Sequence, residues 1–441
     1  MWEFQLTKSN INIQIVQNNF KNNEHFLMKT VLVLGAAALQ LPLIKFIKSK
    51  GFRVIVVSIK GDYPGFRLAD RCIYLDVRDA VGILKEIGTE KNIVGVITDQ
   101  TDIAVSTVAY LSKQLGLPGN SVECASTYSN KFLMRELCNH LHIPNPSYLR
   151  ANKIQDINLK ECNIQFPIIM KPEDNQGSRG VYKCYNNKDI NIHFESSKSF
   201  SKSGHVIIEE FFEGSEVVVE GFVYNGQYLL WGIGERKYFN IKDKFIPSQT
   251  IFPANISDYM KNELINAERK IHSSLNPRFG MIHSEYLINE ETREYRLVET
   301  ALRGGGVYIS SHLIPLYTGV NNYDLLLKCC LGEEICLDTI QSTFKLASSA
   351  YMCFYLPEGE VISINGVSQI MQIPEVKKVD LDNIHVGTQT SKLENKTMRL
   401  GPIIIGTSSR LETDNIIKQI TNLLSIQVKQ ANNLIDGIHW N

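Results

Sequence analysis

Residues 278–306 read RFGMIHSEYLINEETREYRLVETALRGGG. Phe279–Ile288 and Tyr295–Ala301 have strand character, and the polar stretch Asn289–Arg293 lies between them, so the pair predicts an antiparallel hairpin. With the turn centred on Thr292, Glu285 stands opposite Glu299, and Leu287 pairs with Leu297 in the same register. Directly opposed residues hold their Cβ atoms about 4.5–5.5 Å apart, and like charges at that range repel. A divalent cation between the carboxylates would relieve the repulsion, because Mg²⁺ takes one or two carboxylates together with substrate phosphates. The two-residue period puts His283, Glu285, Glu299, Ala301 and Arg303 on one face. A basic residue beside a metal suits phosphoryl transfer, where charge develops on oxygen. The alternative reading is a slip of one or two residues, which leaves a solvated acidic hairpin. Gly304-Gly305-Gly306 removes side chains where a substrate or backbone must come close, or else forms a flexible turn.

Upstream, residues 167–184 (PIIMKPEDNQGSRGVYKC) read as a strand carrying Lys171, a loop with Gly177, Ser178 and Gly180, and a second strand from Val181. Such a loop can turn backbone N–H groups toward phosphate oxygens, and Lys171 can add a cation there. It is not a Walker A loop, because GxxxxGK[ST] is absent. An ordinary hairpin is the competing reading. In Val206–Phe222 (VIIEEFFEGSEVVVEGF) a strand ends at Glu209-Glu210, passes through Phe211-Phe212 and restarts at Glu216. Its backbone could meet a purine edge, and Glu216 could accept from ribose hydroxyls; read separately, each acid is an ordinary surface group. Lys131 opens a helix predicted over Lys131–His142, which Ile143-Pro144-Asn145-Pro146 stops.

Residues 29–35 (KTVLVLG) form a buried strand followed by helical periodicity over 37–50. Strands at Arg53–Ser58, Cys72–Leu75 and Val94–Thr98, with helices near 79–88 and 102–115, predict a doubly wound, mostly parallel sheet. The first βα turn, Gly35-Ala-Ala-Ala-Leu-Gln, lacks two of the three glycines of the dinucleotide fingerprint, so a plain Rossmann-like turn is favoured over NAD binding. A small ligand could still meet the end of this sheet. After the hairpin, strands are expected near 347–355, 360–364 and 400–406, then a helix over 411–424.

The chain has 441 residues, 44% apolar and 21% charged, which fits a globular protein of several domains. Lys+Arg and Asp+Glu are both 46, and this balance argues against a nucleic-acid binder. No apolar run is long enough to span a bilayer and no secretory leader pattern opens the chain, so a cytoplasmic protein without a membrane partner is expected. Nine scattered cysteines with no CxxC pair predict reduced thiols, neither a disulfide framework nor a zinc site.

Taken in order, Lys131, Lys171, the 177–180 loop, Glu209–Glu216, Glu285 and Glu299–Arg303 resemble the ATP-grasp superfamily, and within it the carboxylate–amine ligases of the L-amino-acid ligase type. The resemblance covers about residues 29–430. It implies a multidomain α/β and α+β fold: a leader or edge extension (1–28), a Rossmann-like preATP-grasp domain (29–125), an ATP-grasp domain (126–335) with its nucleotide lid at about 145–212, and a C-terminal α+β subdomain (336–441). It further implies that Lys131 and Lys171 contact ATP phosphates and that Gly177, Ser178 and Gly180 cover the triphosphate. Glu209 would lie near the adenine, the Glu210 and Phe212 backbones would read its edge, and Glu216 would bind the ribose. Glu285 and Glu299 would hold Mg²⁺ (or Mn²⁺). Arg303, His283 and Lys171 would be catalytic, with His283 touching the acyl phosphate or the amine. Asn130 stands where the family has Asp, and Ala301 where many relatives have Asn. The implied reaction activates a carboxylate as an acyl phosphate and couples it to an amine, an amino acid, to form an amide, with release of ADP and phosphate. Bicarbonate chemistry of the carbamoyl phosphate synthase or biotin carboxylase kind, and a nucleotide-binding protein without turnover, are the alternatives. Small-molecule substrates and a homodimer are the implied partners. Loops 174–181 and 236–248 are expected to close over the site.

Overall fold

The computed structural model describes residues 28–430 and 433–440, so nearly all of the 1–28 leader lies outside the described residues. The chain opens with β1 (Thr30–Leu34), α1 (Leu41–Ser49), β2 (Arg53–Ser58), β3 (Arg71–Tyr74), α2 (Ala80–Glu86), β4 (Ile93–Ile97) and α3 (Val105–Gln114). The four strands are parallel in the order β3-β2-β1-β4. Val31 and Val33 face one apolar cluster and Leu32 and Leu34 another, which is why β1 is a continuous apolar run rather than an alternating one. The predicted helix after Gly35 begins as a 3₁₀ turn over Ala38–Gln40 and becomes α-helical at Leu41-Pro42, where proline is tolerated at the first turn.

Then come α4 (Val122–Thr127) and α5 (Lys131–Leu141). Asn130 caps α5, its side chain accepting from Leu133 N at 3.1 Å, and asparagine serves there as well as aspartate. A small antiparallel sheet follows, from β5 (Tyr148–Ala151), β6 (Ile168–Pro172), β7 (Tyr182–Cys184) and β8 (Val206–Glu210), in the order β5-β8-β6-β7. Helix α6 (Asn187–Ser199) buries Ile190 and Phe194 in the core of this unit.

The central sheet has eight antiparallel strands. Its first members are β9 (Ser215–Tyr224), β10 (Gln227–Tyr238) and β11 (Pro247–Phe252); after α7 (Asp258–Leu275) come β12 (Phe279–Asn289) and β13 (Glu294–Ala301). Among the remaining elements are α8 (Asn322–Cys330), β14 (Ser348–Phe354), β15 (Gly359–Asn365), β16 (Val376–Val379), β17 (Gln389–Thr390), β18 (Leu400–Thr407), α9 (Arg410–Leu423), β19 (Ser425–Gln430) and β20 (Asn433–Asp436). The order of the large sheet is β13-β12-β9-β10-β11-β14-β18-β16, and β17-β15-β19-β20 form a separate sheet. Three strands from beyond residue 336 therefore extend the sheet that carries the acidic hairpin. No helix among the described residues is long and apolar enough to cross a membrane.

The hairpin departs from simple symmetry. Glu285 does pair with Glu299 and His283 with Ala301, but Leu287 pairs with Arg296 and Tyr286 with Leu297. The turn is centred between Glu291 and Thr292, and a bulge at Val298 restores the offset before Glu299. The expected Leu287–Leu297 pair is thus wrong. Leu297 turns into the core with Tyr286 and Tyr295, while Val298 and Glu299 both face the cavity beside it. An extra residue in one strand re-aims the side chains that follow, the usual work of a bulge next to a site.

Candidate active site

A cavity of about 520 Å³ lies between the small sheet and the large one. It brings together Lys131, Lys171, Gly177, Ser178, Glu209, Glu210, Phe212, Glu216, Glu285 and Glu299 from distant parts of the chain. Gly180, with φ +73°, sits at the end of the loop; a Cβ there would lie 2.9 Å from Phe200 Cδ2 and 3.0 Å from Pro172 Cγ, so glycine is needed for both backbone and space. The loop is docked on the first domain, since Asp102 N donates to Gln176 Oε1 at 2.8 Å.

Lys171, on β6, is buried and its Nζ lies 2.7 Å from Glu209 Oε2. The other oxygen of Glu209 receives Arg135 Nε at 2.9 Å. Burial pushes the Glu209 carboxyl upward, but Arg135 and Lys171 outweigh it and hold it below its ordinary value. Arg135 is fully buried on α5 and donates its second arm to Val298 O at 2.7 Å. It therefore joins the small sheet to the bulge. Its place was hidden in the sequence, although the spacing of four from Lys131 puts both on one helix face. Lys131 Nζ lies 2.9 Å from Glu299 Oε2 and donates to Asn175 O at 2.9 Å.

Glu285 is engaged by Arg236, whose NH1 also reaches Glu216 Oε1, each at 2.5 Å. Tyr238 donates to the other oxygen of Glu216. Both Arg236 and Tyr238 belong to strand β10, so the expected closing loop 236–248 is shorter: the connection runs only from 239 to 246. A polar, mixed-charge run looks like a loop in sequence, but here alternate residues line a wet face of a strand. Burial disfavours the Glu285 carboxylate, yet Arg236, Lys396 and His283 together hold it well below its ordinary range. Glu299 is also lowered: burial raises it, and Lys131 more than compensates. Glu216 goes the other way, raised by burial and by the charge of Glu285 despite Arg236. Lys396, from the segment before β18, enters the same cavity near Glu285, Glu216 and Arg236. Lys244 Nζ fastens this segment by bonds to Leu393 O (2.9 Å) and Glu394 Oε2 (2.6 Å). A single lysine in a polar stretch gave no signal.

His283 is buried opposite Glu220 on β9 and bonds to it through Nδ1; its Nε2 lies 3.4 Å from Glu285 Oε1. Burial disfavours the imidazolium, but the two carboxylates outweigh this and raise the His283 pKa. Arg303 is gripped in two places by Asp102, Nε to Oδ1 at 2.6 Å and NH2 to Oδ2 at 3.0 Å. The glycine run serves close packing at two positions. A Cβ on Gly304 would lie 2.2 Å from Ser310 Cβ, and one on Gly305 2.5 Å from Glu220 Oε1. Gly306 has open space instead. Buried Asp99, at the end of β4, accepts from Gly304 N (3.0 Å), Ser310 Oγ (2.7 Å) and Tyr323 OH (2.7 Å). Asp99, Asp102 and Glu220 were all missed in the sequence, because their partners lie far away along the chain.

Among the described residues no group of three or more His, Cys, Asp or Glu side chains is placed to hold a metal ion. The hairpin offers two carboxylates on one cavity wall. Two hard oxygen donors fit Mg²⁺ when phosphate oxygens and water complete its shell.

Residues 164–311 match the family model of the ATP-grasp domain. The alanine–anticapsin ligase of Bacillus amyloliquefaciens is 24% identical over 264 residues, 55% of this chain and 55% of that protein. The chain thus spans about half the length of that relative. The crystal structure of the L-amino acid ligase from Bacillus licheniformis superposes with a TM-score of 0.75 at 19% identity, covering 91% of this chain and 99% of that one. The biotin carboxylase domain of Hydrogenobacter thermophilus 2-oxoglutarate carboxylase, solved with MgADP and bicarbonate, gives a TM-score of 0.68 at 12% identity over 93% of this chain and 91% of that one. Residues 164–311 thus match an ATP-grasp domain, the chain shares the fold of these solved structures, and the curated proteins it resembles include one named as a ligase.

Proposed function

We propose that this ATP-grasp chain is an ADP-forming ligase that joins a carboxylate to an amine, with an amino acid as one substrate. The observation that carries the reading is the pairing of Glu285 with Glu299 in a cavity that also holds Lys131, Lys171 and the 177–180 loop. ATP would lie with its adenine between the small sheet and Phe212. The N–H of Glu210 is spent on Ser147 O at 2.9 Å, so a purine edge would use the Glu210 carbonyl and the Phe212 N–H. Glu216 would face the ribose, and Lys131, Lys171 and the loop amides the phosphates.

Glu285 and Glu299 would hold Mg²⁺, which supplies charge neutralisation on the phosphate oxygens when bound. In the first step a carboxylate oxygen of the substrate attacks the γ-phosphorus and ADP leaves. Lys171 and Arg303 would offset the charge that builds on the transferring oxygens. In the second step the amine nitrogen attacks the acyl carbon, the C–O bond to the phosphate breaks, and the proton lost by the nitrogen leaves with the departing inorganic phosphate. The two carboxylates that flank His283 raise its pKa, and its Nε2, 3.4 Å from Glu285 Oε1, is the ring nitrogen on the side of the paired carboxylates. Water must be excluded or the acyl phosphate hydrolyses. The 174–181 loop, already tied to Asp102, is the element positioned to do this.

The test is an ADP-release screen over pairs of amino acids and other carboxylates, with bicarbonate as a parallel arm. ADP formation that needs both a carboxylate and an amine supports the reading. Stimulation by bicarbonate alone, or no stimulation by any pair, overturns it. Glu299→Gln should remove turnover while leaving thermal unfolding within a few degrees of the parent.

A further inference from the structure

The order β3-β2-β1-β4 places a topological switch point between β1 and β4, because the chain leaves β1 to one side and returns on the other. In open parallel sheets, ligands bind in the crevice outside the carboxyl ends of the strands at such a point. A cavity of about 440 Å³ lies there. Its floor is the turn Gly35-Ala36-Ala37, whose small side chains leave it open. Buried Gln40 fixes that turn, accepting from Ala37 N at 3.1 Å and donating to Asp99 O at 2.8 Å. Ile59, Tyr63 and Phe200 supply apolar walls.

The charged groups in this crevice are Arg78, Arg179 and Asp76. Asp76 takes Nε and NH2 of Arg78 at 2.9 and 2.6 Å, which holds the guanidinium plane in place. Arg179 belongs to the glycine loop and also lines the large cavity. The crevice therefore carries an excess of one positive charge, built from two guanidiniums. Guanidinium groups are suited to planar, bidentate recognition of carboxylate and phosphate. A smaller polar chamber of about 180 Å³ connects the two cavities: it shares Arg78 and Asn175 with the crevice, and Lys131 and Glu299 with the nucleotide side.

We propose that this crevice binds the amine-bearing substrate by an anionic group beyond its α-carboxylate, a side-chain carboxylate or phosphate, held between Arg78 and Arg179. The reacting end of that molecule points through the polar chamber toward Glu299. This placement rests on the ligase reading above, but its test does not require turnover.

The experiment is isothermal titration of the full chain with three probes: L-glutamate, O-phospho-L-serine and neutral L-glutamine. At least one acidic probe should bind tenfold or more tighter than glutamine, and the tighter of the two identifies the preferred anion. Arg78, with its side chain 47% exposed, can be replaced without a packing cost. Arg78→Ala should weaken the preferred acid at least tenfold, leave glutamine within twofold, and leave the affinity for a fluorescent ATP analogue unchanged. Arg78→Lys should recover part of the loss. Equal binding of all three probes, or an Arg78→Ala protein that keeps its affinity for the acid within twofold, overturns the proposal. Acid binding without any ADP release from substrate pairs would instead count against the ligase reading and leave the site standing.

Discussion

Asp102→Asn tests whether the first domain positions Arg303. The aspartate contributes two charge-assisted bonds to the guanidinium, at 2.6 and 3.0 Å, across the boundary between the parallel sheet and the hairpin. Asparagine keeps the shape and one acceptor but removes the charge. Side-chain exposure is 9% for Arg303 and 19% for Asp102, so the pair lies between two limits. Breaking a fully buried pair costs about 3–5 kcal/mol, because one charge is left uncompensated. An exposed pair contributes about 0–1 kcal/mol. With one acceptor retained, and with Arg303 still donating to Gly304 O at 3.0 Å, the stability loss should be about 1–2 kcal/mol, between these limits. The rate should suffer more, because a displacement of about 1 Å in a positioned group can cost about a hundredfold. The assay is urea unfolding together with single-turnover ADP formation at saturating ATP. A fall in rate of about a hundredfold, with nucleotide affinity kept, fits a positioning role. If Asp102→Asn turns over within twofold of the parent, Arg303 does not depend on this grip and the reasoning fails.

Gly305→Ala would place a methyl group 2.5 Å from Glu220 Oε1 and 2.9 Å from His283 Nδ1, so it should lower both the melting temperature and turnover. Gly306→Ala, which meets nothing within 4 Å, should melt with the parent; equal behaviour of the two variants in a melting scan would refute the steric account. Lys396→Met should weaken binding of a fluorescent ATP analogue about tenfold or more, in line with the roughly 1.5–3 kcal/mol of a hydrogen bond to a charged group; affinity within twofold would exclude Lys396 from the nucleotide site. The folded pKa values of Glu209 and Glu285 lie below their unfolded ones. Their contribution to stability is therefore full above the unfolded value of about 4.3 and is lost as pH falls through the folded values. The urea midpoint should hold from pH 7 to pH 5 as far as these groups are concerned and drop below that, with a shallower acid slope in Glu209→Gln.

What the sequence made legible has a physical pattern. Alternation and turn chemistry are local, and they located the hairpin, the parallel strands and the glycine loop to within a residue or two. The Glu285–Glu299 pairing came from counting outward from the turn, and a bulge at Val298 compensated for a turn centred half a residue away. The Leu287–Leu297 pair, counted in the same way, lies on the turn side of that bulge and came out wrong. Arg135, Arg236, Asp102 and Glu220 act through partners 74, 49, 201 and 63 residues away. No local period reports such contacts. Arg236 was hidden twice over, because a strand lining a wet cavity has the composition of a loop.

The charges around the large cavity bear on how it selects its ligand. Six basic side chains (Lys131, Lys171, Arg179, Arg236, Lys244 and Lys396) face five acidic ones (Glu209, Glu210, Glu216, Glu285 and Glu299). A site evolved only to attract a free triphosphate would be strongly positive. This one is close to balance, and its two hairpin acids would repel the phosphates of a nucleotide that arrived without a divalent ion. On the proposed function, bound Mg²⁺ would turn that repulsion into coordination. The acids would then discriminate against the metal-free nucleotide as much as they attract the metal complex, which is specificity by an unfavourable alternative. Lys131 on Glu299 and Arg236 on Glu285 keep the paired carboxylates from repelling each other before the ligand enters. On the same reading, these two cations would exchange partners when the nucleotide binds, from carboxylate to phosphate oxygen. Binding would then carry the cost of breaking two ion pairs and recover it only if phosphates stand where those cations can reach them.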